Sequence, residues 1–225
     1  MLIVTEHETP IVPIPPNCND AGKTPMRKLL TLSADGKLRL RAPDGVETEI
    51  QARRRNVLLL IDTSGSMAGA KIEQAKGGAI DFANSATRKG YATALAIFAD
   101  RAAMVCDPSL DAVDFTRKIA RLEIGLVGGA TDLAAGLVLA GKFPELAAVV
   151  VVTDGQTNNN KAALDAGARL KSRGVDVICI GTDDADREFL KRLATRADLA
   201  LHVTAQELRS AITGASLLLG GGNGL

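Results

Sequence analysis

Runs of consecutive aliphatic residues recur along the chain from position 57 onward, separated by segments of mixed polarity. Because neighbouring side chains of a strand point to opposite faces, such runs indicate strands with both faces buried, as in a parallel sheet covered by helices. The runs that predict buried strands are 57–61, 92–98, 147–152 and 175–180, and those that predict a short edge strand and a last strand are 104–106 and 200–203.

Apolar residues three and four positions apart occupy most of the segments between these runs, and this spacing predicts helices. The predicted apolar stripes are Ile72, Ala75, Ala79, Phe82 and Ala86; Leu133, Gly136, Leu137 and Ala140; Ala163, Ala166, Gly167 and Leu170; Phe189, Leu190, Leu193 and Ala197; and Leu208, Ile212, Ala215 and Leu219. The alternation predicts an α/β fold: a doubly wound, mostly parallel sheet with helices on both faces, Rossmann-like in architecture. Ligands of such sheets bind beyond the carboxyl ends of the strands.

The N-terminal part of the chain follows other patterns. Five of the eight prolines fall in the first 25 residues, which predicts a linker or strap. Leu38 and Leu40 alternate with charged residues between two Asp-Gly dipeptides, which predicts short antiparallel strands. The predicted division of the chain is a linker or strap, a short β-hairpin extension, an α/β domain and a Gly-rich tail, over 1–28, 29–52, 53–219 and 220–225.

Composition limits the classes of function. The chain has 225 residues, of which 46% are hydrophobic and 24% charged, as in an ordinary globular protein with one main domain. Its 27 basic and 26 acidic residues nearly cancel and only 3% are aromatic, so neither nucleic acid nor a membrane is an expected partner. The three cysteines form no CxxC motif and the N-terminus shows no signal-peptide pattern, which together predict a cytoplasmic location.

Polar side chains follow two of the predicted buried strands and precede one of the predicted helices. Asp62, Ser64 and Ser66 come after the first buried strand, Asp154 comes after a later one, and Thr131 precedes the helix between them. Because the carboxyl ends of parallel strands meet at one edge of a sheet, we expect these side chains to lie close together. Carboxylate and hydroxyl oxygens are hard ligands, so the set predicts a Mg²⁺ site.

The charge of this set predicts what a bound ion would do. Two carboxylates and three hydroxyls leave a divalent ion electron-poor, whereas a cage rich in carboxylates would already satisfy it. Such an ion favours a carboxylate from outside as its further ligand. The sequence therefore predicts recognition of an acidic side chain.

The order Asp62-x-Ser64-x-Ser66, then Thr131, then Asp154 followed by glycine, resembles the metal-ion-dependent adhesion site of von Willebrand factor A (vWA) domains, which also occur in integrins. The resemblance covers roughly residues 53–219. It implies that the three hydroxyls contact the metal and that the two aspartates act largely through water. The implied ion is Mg²⁺, with Mn²⁺ as the alternative.

The chain also resembles standalone bacterial vWA proteins, which implies a non-enzymatic module that binds an Asp or Glu of a protein partner through the metal. The partners implied by the resemblance are an AAA+ ATPase or stress-response proteins. Gln156, Asn158, Asn159 and Asn160 follow Asp154 closely. Their place beside the expected metal makes them candidates for selecting the partner.

Two other interpretations of the same residues stay open. A Mg²⁺-dependent phosphatase or phosphotransferase would use Asp62, although a serine, Ser64, stands where the second carboxylate of such an enzyme is expected. A scaffold would bind its partner with or without metal. Separately, Asp183, Asp184 and Asp186 follow another predicted strand, where carboxylates stabilise a helix N-terminus, with a second cation site as the alternative.

Overall fold

The computed structural model describes residues 29–32, 38–41, 47–50, 55–128 and 130–219. The predicted linker or strap, 1–28, and the predicted tail, 220–225, lie outside the described residues. The chain divides into two units, Met1–Arg53 and Arg54–Leu225. The finer division into four segments remains a prediction.

The first unit contains a three-stranded antiparallel sheet. Its strands, in spatial as well as chain order, are β1 (Leu29–Leu32), β2 (Leu38–Arg41) and β3 (Glu47–Ile50). Leu30 pairs with Leu40, and Leu40 pairs with Thr48, so the register runs continuously through the central strand. The short antiparallel strands predicted for this segment are confirmed.

The second unit is built on a six-stranded sheet with the spatial order β6-β5-β4-β7-β8-β9. The edge strand β6 runs antiparallel to β5, and the other neighbouring pairs are parallel. This mostly parallel sheet confirms the predicted α/β fold. Its strands are β4 (Asn56–Asp62), β5 (Ala92–Phe98), β6 (Ala102–Ser109), β7 (Leu146–Thr153), β8 (Asp176–Thr182) and β9 (Ala200–Val203).

Helices connect these strands and cover the sheet. They are α1 (Ala70–Arg88), α2 (Ala112–Ala120), α3 (Leu133–Ala140), α4 (Asn160–Ser172), α5 (Arg187–Leu193) and α6 (Leu208–Leu218). The helix α1 packs against α2 and α6, whereas α4 packs against α3 and α5. Residues 57–62 of β4 are all buried, because helices cover both faces of the sheet at its centre. Among the described residues no helix is both long enough and apolar enough to cross a membrane.

Two features differ from the predicted elements. The helix α2 was not predicted, although Phe115 and Ile119 are buried four positions apart and Asp111 caps its N-terminus through the backbone N–H groups of the first turn. The edge strand β6 extends beyond the predicted 104–106 on both sides. The prediction was too short because β6 is only partly buried, so polar residues interrupt the apolar pattern on which the prediction rested.

The order of the strands creates a crevice at one edge of the sheet. From β4 the chain proceeds to β5 on one side, and it later returns to β7 on the other side. The loops after β4 and β7 therefore diverge, which leaves a cleft beyond the carboxyl ends of these two strands. Open α/β sheets bind their ligands at such a switch point.

Candidate functional site

The carboxyl ends of β4 and β7 are joined by a hydrogen bond between buried side chains. The hydroxyl of Thr153 donates to Oδ2 of Asp62 at 2.7 Å. Both residues are buried, and Asp62 is fully so. A buried carboxylate needs such partners, because water does not reach it to stabilise its charge. This bond holds the two strand ends that carry the predicted metal residues.

The turn after β4 is closed by the other oxygen of the same carboxylate. Oδ1 of Asp62 accepts a hydrogen bond from the backbone N–H of Ser64 at 2.8 Å. A 3-10 turn over Gly65–Met67 follows, and the fully buried Met67 anchors it in the core. The hydroxyl oxygens of Ser64 and Ser66 come to lie 3.1 Å apart. Asp62 therefore stabilises the turn by its hydrogen bond to the backbone, and the turn brings the two serine hydroxyls next to each other.

Asp154 is engaged from two sides. The Ser66 hydroxyl donates to its Oδ1 at 2.7 Å, and the ammonium group of Lys71 contacts its Oδ2. The same ammonium group forms an ion pair with Oδ2 of Asp183 at 2.8 Å. Sequence analysis did not identify Lys71. Its position in the first turn of the helix that follows the serine-rich turn was the available signal, since a cation there faces the same edge.

A third loop brings Thr131 to this edge. The backbone N–H of Ala130 bonds to the Asp100 carboxylate, and the N–H of Asp132 donates to the carbonyl of Ala99 at 2.6 Å. The carbonyl oxygen of Thr131 accepts from the N–H of Asn158 at 2.9 Å. These bonds secure the backbone on both sides of Thr131.

The Thr131 side chain lies beside the residue that follows Asp154. Its Oγ1 is 3.6 Å from the point where a Cβ on Gly155 would lie, so glycine leaves the space around the hydroxyl open. Thr131 is half-buried and Ser66 is exposed, so solvent reaches the set. The structure thus gathers all five predicted residues at the crevice between β4 and β7, whereas their role as a metal site remains a prediction.

Burial and hydrogen bonds have opposite effects on the pKa values of Asp62 and Lys71. Burial raises the pKa of Asp62 above its usual value, against the hydrogen bonds from Thr153 and Ser64, which lower it. For Lys71, burial lowers the pKa, but hydrogen bonds to Asp154 and Asp183 outweigh it and the pKa is raised. The hydrogen bond from Lys71 lowers the pKa of the Asp183 carboxyl. The Lys71 ammonium therefore stays charged at neutral pH.

The chemistry of the gathered donors fits a hard divalent cation. Every candidate ligand is a hydroxyl or carboxylate oxygen, the type that Mg²⁺ and Mn²⁺ prefer. Among the residues that the structure describes, at this site or elsewhere, no three His, Cys, Asp or Glu side chains are grouped as metal ligands. A zinc cage of thiolates or imidazoles therefore has no counterpart in that part of the chain.

The residues predicted to select a partner lie between the end of β7 and the first residue of α4. Gln156, Asn158, Asn159 and Asn160 are all exposed. Asn159 has a structural role, because its Oδ1 caps α4 by accepting from the N–H of Ala162 at 2.9 Å. Selection of a partner by these residues remains a prediction.

Two of the acidic residues after β8, Asp183 and Asp186, have different contacts. Asp186 caps α5 by accepting from the N–H of Phe189 at 3.0 Å, as expected for a carboxylate at a helix N-terminus. Asp183 is the exception, because it pairs with Lys71 and not with the helix. Its backbone is in the left-handed region, with φ of 51°.

Known proteins share this fold and part of this sequence. The magnesium-chelatase 60 kDa subunit of Cereibacter sphaeroides is 28% identical in an alignment 163 residues long, which covers 64% of this chain and 29% of that subunit. The chain therefore matches less than a third of the length of this relative.

Two solved structures illustrate the likeness in fold. Proximal thread matrix protein 1 from the mussel byssus, whose structure has a zinc-occupied MIDAS motif (metal-ion-dependent adhesion site), is 22% identical with a TM-score of 0.61, over 72% of this chain and 46% of that one. The manganese-loaded TRAP protein of Plasmodium vivax is 19% identical with a TM-score of 0.60, over 73% of this chain and 74% of that one. At these identities the likeness shows the fold alone.

The family assignment comes from the sequence itself. The model of the von Willebrand factor type A domain matches residues 56–214, which is well over half of the chain. The match begins at the first strand of the six-stranded sheet and ends within α6. The chain therefore belongs to the von Willebrand factor type A domain family.

Proposed function

We propose that this protein is a non-enzymatic interaction module that binds a divalent cation and, through it, an Asp or Glu side chain of a protein partner. The observation that carries the proposal is the contact between Ser66 and Asp154 at 2.7 Å, with Ser64 at 3.1 Å from Ser66. It brings hydroxyl and carboxylate oxygens from two separate loops to one point, at which Ser66 is exposed to solvent. Membership of the vWA family supports the same conclusion.

The residues divide into two roles in this proposal. The hydroxyls of Ser64, Ser66 and Thr131 would hold the ion, and the carboxylates of Asp62 and Asp154 would act on it through water. When bound, the ion supplies a positive charge with a position open to an external carboxylate. Asp62 also keeps the turn in shape, since each of its oxygens already accepts a hydrogen bond.

The proposed ion is Mg²⁺, with Mn²⁺ as the alternative. Two solved structures of similar fold, one with zinc and one loaded with manganese, support the binding of a divalent cation in general. Mg²⁺ is favoured because the donors are all oxygen and the site is rich in hydroxyls.

The proposed partner is a subunit of a larger assembly. The sequence relative is one subunit of a magnesium chelatase, which supports a role beside other chains. An AAA+ ATPase or a stress-response protein is the partner class that we propose, in the cytoplasm, with an acidic side chain at its contact point.

Calorimetric titration of Mg²⁺ and of Mn²⁺ into the metal-free full chain tests the proposal. We expect one site, and binding tightened by acetate, which mimics the carboxylate of a partner. Replacing Ser64 by alanine removes one proposed ligand and should weaken binding about tenfold or more, as for the loss of a bond to a charged group. Absence of binding at millimolar concentrations of both ions would contradict the proposal.

The competing enzymatic interpretation requires Asp62 to attack a phosphate. Asp62 has no exposed surface, and both of its oxygens accept hydrogen bonds, so it is not presented as a nucleophile. Hydrolysis of p-nitrophenyl phosphate in the presence of Mg²⁺ that disappears in Asp62→Asn would favour the enzyme. Partner binding that survives EDTA would favour a metal-independent scaffold.

A further inference from the structure

Lys71 connects the predicted metal site to a carboxylate outside it. Its ammonium group contacts Oδ2 of Asp154 and lies 2.8 Å from Oδ2 of Asp183. The Lys71 side chain is 20% exposed, that of Asp154 1% and that of Asp183 43%. The ammonium group thus lies between a buried carboxylate inside the site and a solvated one at its rim.

The contact with Asp154 places a positive charge where a divalent cation would act. Oδ1 of Asp154 is already taken by the Ser66 hydroxyl, so Lys71 occupies the remaining oxygen. An ammonium group and a metal ion, or its bound water, therefore compete for the same carboxylate. Two positive charges within a few ångströms of each other also repel strongly in a partly buried site.

Asp183 offers the ammonium group a second position. Its backbone adopts a left-handed conformation, with φ of 51°, which aspartate tolerates better than most residues. This conformation occurs directly after β8, whose neighbour in the sheet is β7, the strand that ends at Asp154. Because the ammonium group contacts both carboxylates at once, it could release Asp154 and keep its ion pair with Asp183 while its own helix stays in place.

We propose that Lys71 is a tethered competitor of the divalent cation, and that Asp183 receives its ammonium group when the site is loaded. This inference rests on the proposed function and adds a regulatory element to it. Lys71 holds the affinity for the cation below what the oxygen ligands alone would give. Asp183 moderates that effect by drawing the ammonium group away from Asp154.

The two residues therefore have opposite effects on cation affinity. Replacing Lys71 by methionine removes the competing charge and keeps the aliphatic stem, so Mn²⁺ should bind about tenfold or more tightly. Replacing Asp183 by asparagine leaves Lys71 with Asp154 alone, so Mn²⁺ should bind several-fold more weakly. In the double variant the Asp183 substitution should have little further effect, because its action passes through Lys71.

The test is calorimetric titration of Mn²⁺ into the full-length wild type, Lys71→Met, Asp183→Asn and the double variant. Lys161→Met is the matched control, since it removes the same charge from the first turn of α4, where the side chain is 92% exposed. It should leave the affinity nearly unchanged. Lys71→Gln provides a second neutral variant, and thermal unfolding in EDTA verifies that each protein is folded.

Failure of the inference differs from failure of the proposed function. If the wild type binds neither Mn²⁺ nor Mg²⁺ at millimolar concentrations, the proposed function fails. If the wild type binds but Lys71→Met and Lys71→Gln bind equally or more weakly, Lys71 positions Asp154 and does not compete, and the inference is overturned. Equal weakening by Asp183→Asn with and without Lys71 would also overturn it, because Asp183 would then act by its own charge.

Discussion

Ser66 donates its hydroxyl hydrogen to Oδ1 of Asp154 at 2.7 Å, although 88 positions separate the two residues in the chain. The bond joins the turn after β4 to the end of β7. It spans the crevice between these two strands, from which the chain continues toward opposite edges of the sheet. Through it, the Asp62-to-Ser66 turn and Asp154 form one arrangement of oxygen atoms. Several measurable consequences depend on this arrangement.

Removal of the Ser66 hydroxyl should impair metal binding more than folding. In Ser66→Ala, Asp154 loses a hydrogen bond to a charged acceptor and the site loses a proposed ligand, so Mn²⁺ affinity should fall about tenfold or more. Ser66 is exposed, so the melting temperature in EDTA should change little. Ser172→Ala, an exposed serine at the end of α4, is the control and should bind normally. Normal affinity in Ser66→Ala would remove Ser66 from the site.

The charge of Asp62 should destabilise the metal-free protein at neutral pH. Burial raises its pKa above the usual 3.8, so folding favours the protonated form. The stabilisation from protonation is complete below that value and is lost as pH rises through the raised pKa. Asp62→Asn should therefore melt a few degrees higher than the wild type at pH 7 in EDTA, and should show no stabilisation by Mg²⁺.

The pH dependence provides the control for this prediction. The difference in melting temperature between Asp62→Asn and the wild type should shrink as the pH is lowered through the raised pKa of Asp62. The same measurements on Asp107→Asn, an exposed position on β6, control for the loss of one carboxylate. A lower melting temperature for Asp62→Asn at pH 7 would mean that the hydrogen bonds of the carboxylate outweigh the cost of its burial.

Asp100 should position Thr131 without touching the metal. Its carboxylate accepts from the N–H of Ala130 and fills the space where a side chain on Gly128 would lie, 2.2 Å from that Cβ position. In Asp100→Ala the loop loses this support, so Mn²⁺ affinity should fall by about threefold to tenfold, equivalent to one net hydrogen bond. Amide exchange at Ala130 should accelerate. Asp107→Ala is the control, and slow exchange in Asp100→Ala would contradict this role.

Two adjacent glycines of α1 should respond oppositely to alanine. A Cβ on Gly78 would lie 2.8 Å from Cβ of Ile212 and 2.9 Å from the carbonyl oxygen of Arg209, so α1 and α6 would have to separate. We expect Gly78→Ala to lower the free energy of unfolding by about 1–3 kcal/mol. A Cβ on Gly77 meets only the Arg209 side chain, at 3.2 Å, which can move.

Gly77→Ala therefore serves as the matched control. The gain in helix propensity, up to about 1 kcal/mol, should leave its stability equal to or above that of the wild type. Urea unfolding of both variants measures the difference. Equal destabilisation by the two substitutions would show that the close approach of α6 to Gly78 does not decide the stability of this contact.

Hydrophobic patterning was sufficient to predict the sheet and most of its helices. Strands buried on both faces leave continuous aliphatic runs, and the run at 147–152 lies within β7. The helix α2 was not predicted, because Phe115 and Ile119 make only a short apolar stripe on an otherwise polar segment. The edge strand β6 was predicted too short, because a strand with one partner needs fewer apolar residues.

The sequence by itself determined the family, the order of the elements and the five oxygen-bearing residues at the strand ends. It did so because residue types and their spacing along the chain are enough to specify strands, turns and caps. Only the tertiary structure showed that Lys71 contacts Asp154 and Asp183, and that Asp100 holds the loop before Thr131. Such partners lie 30 or more positions apart, and their meeting depends on how the parallel strands align, which local patterning does not encode.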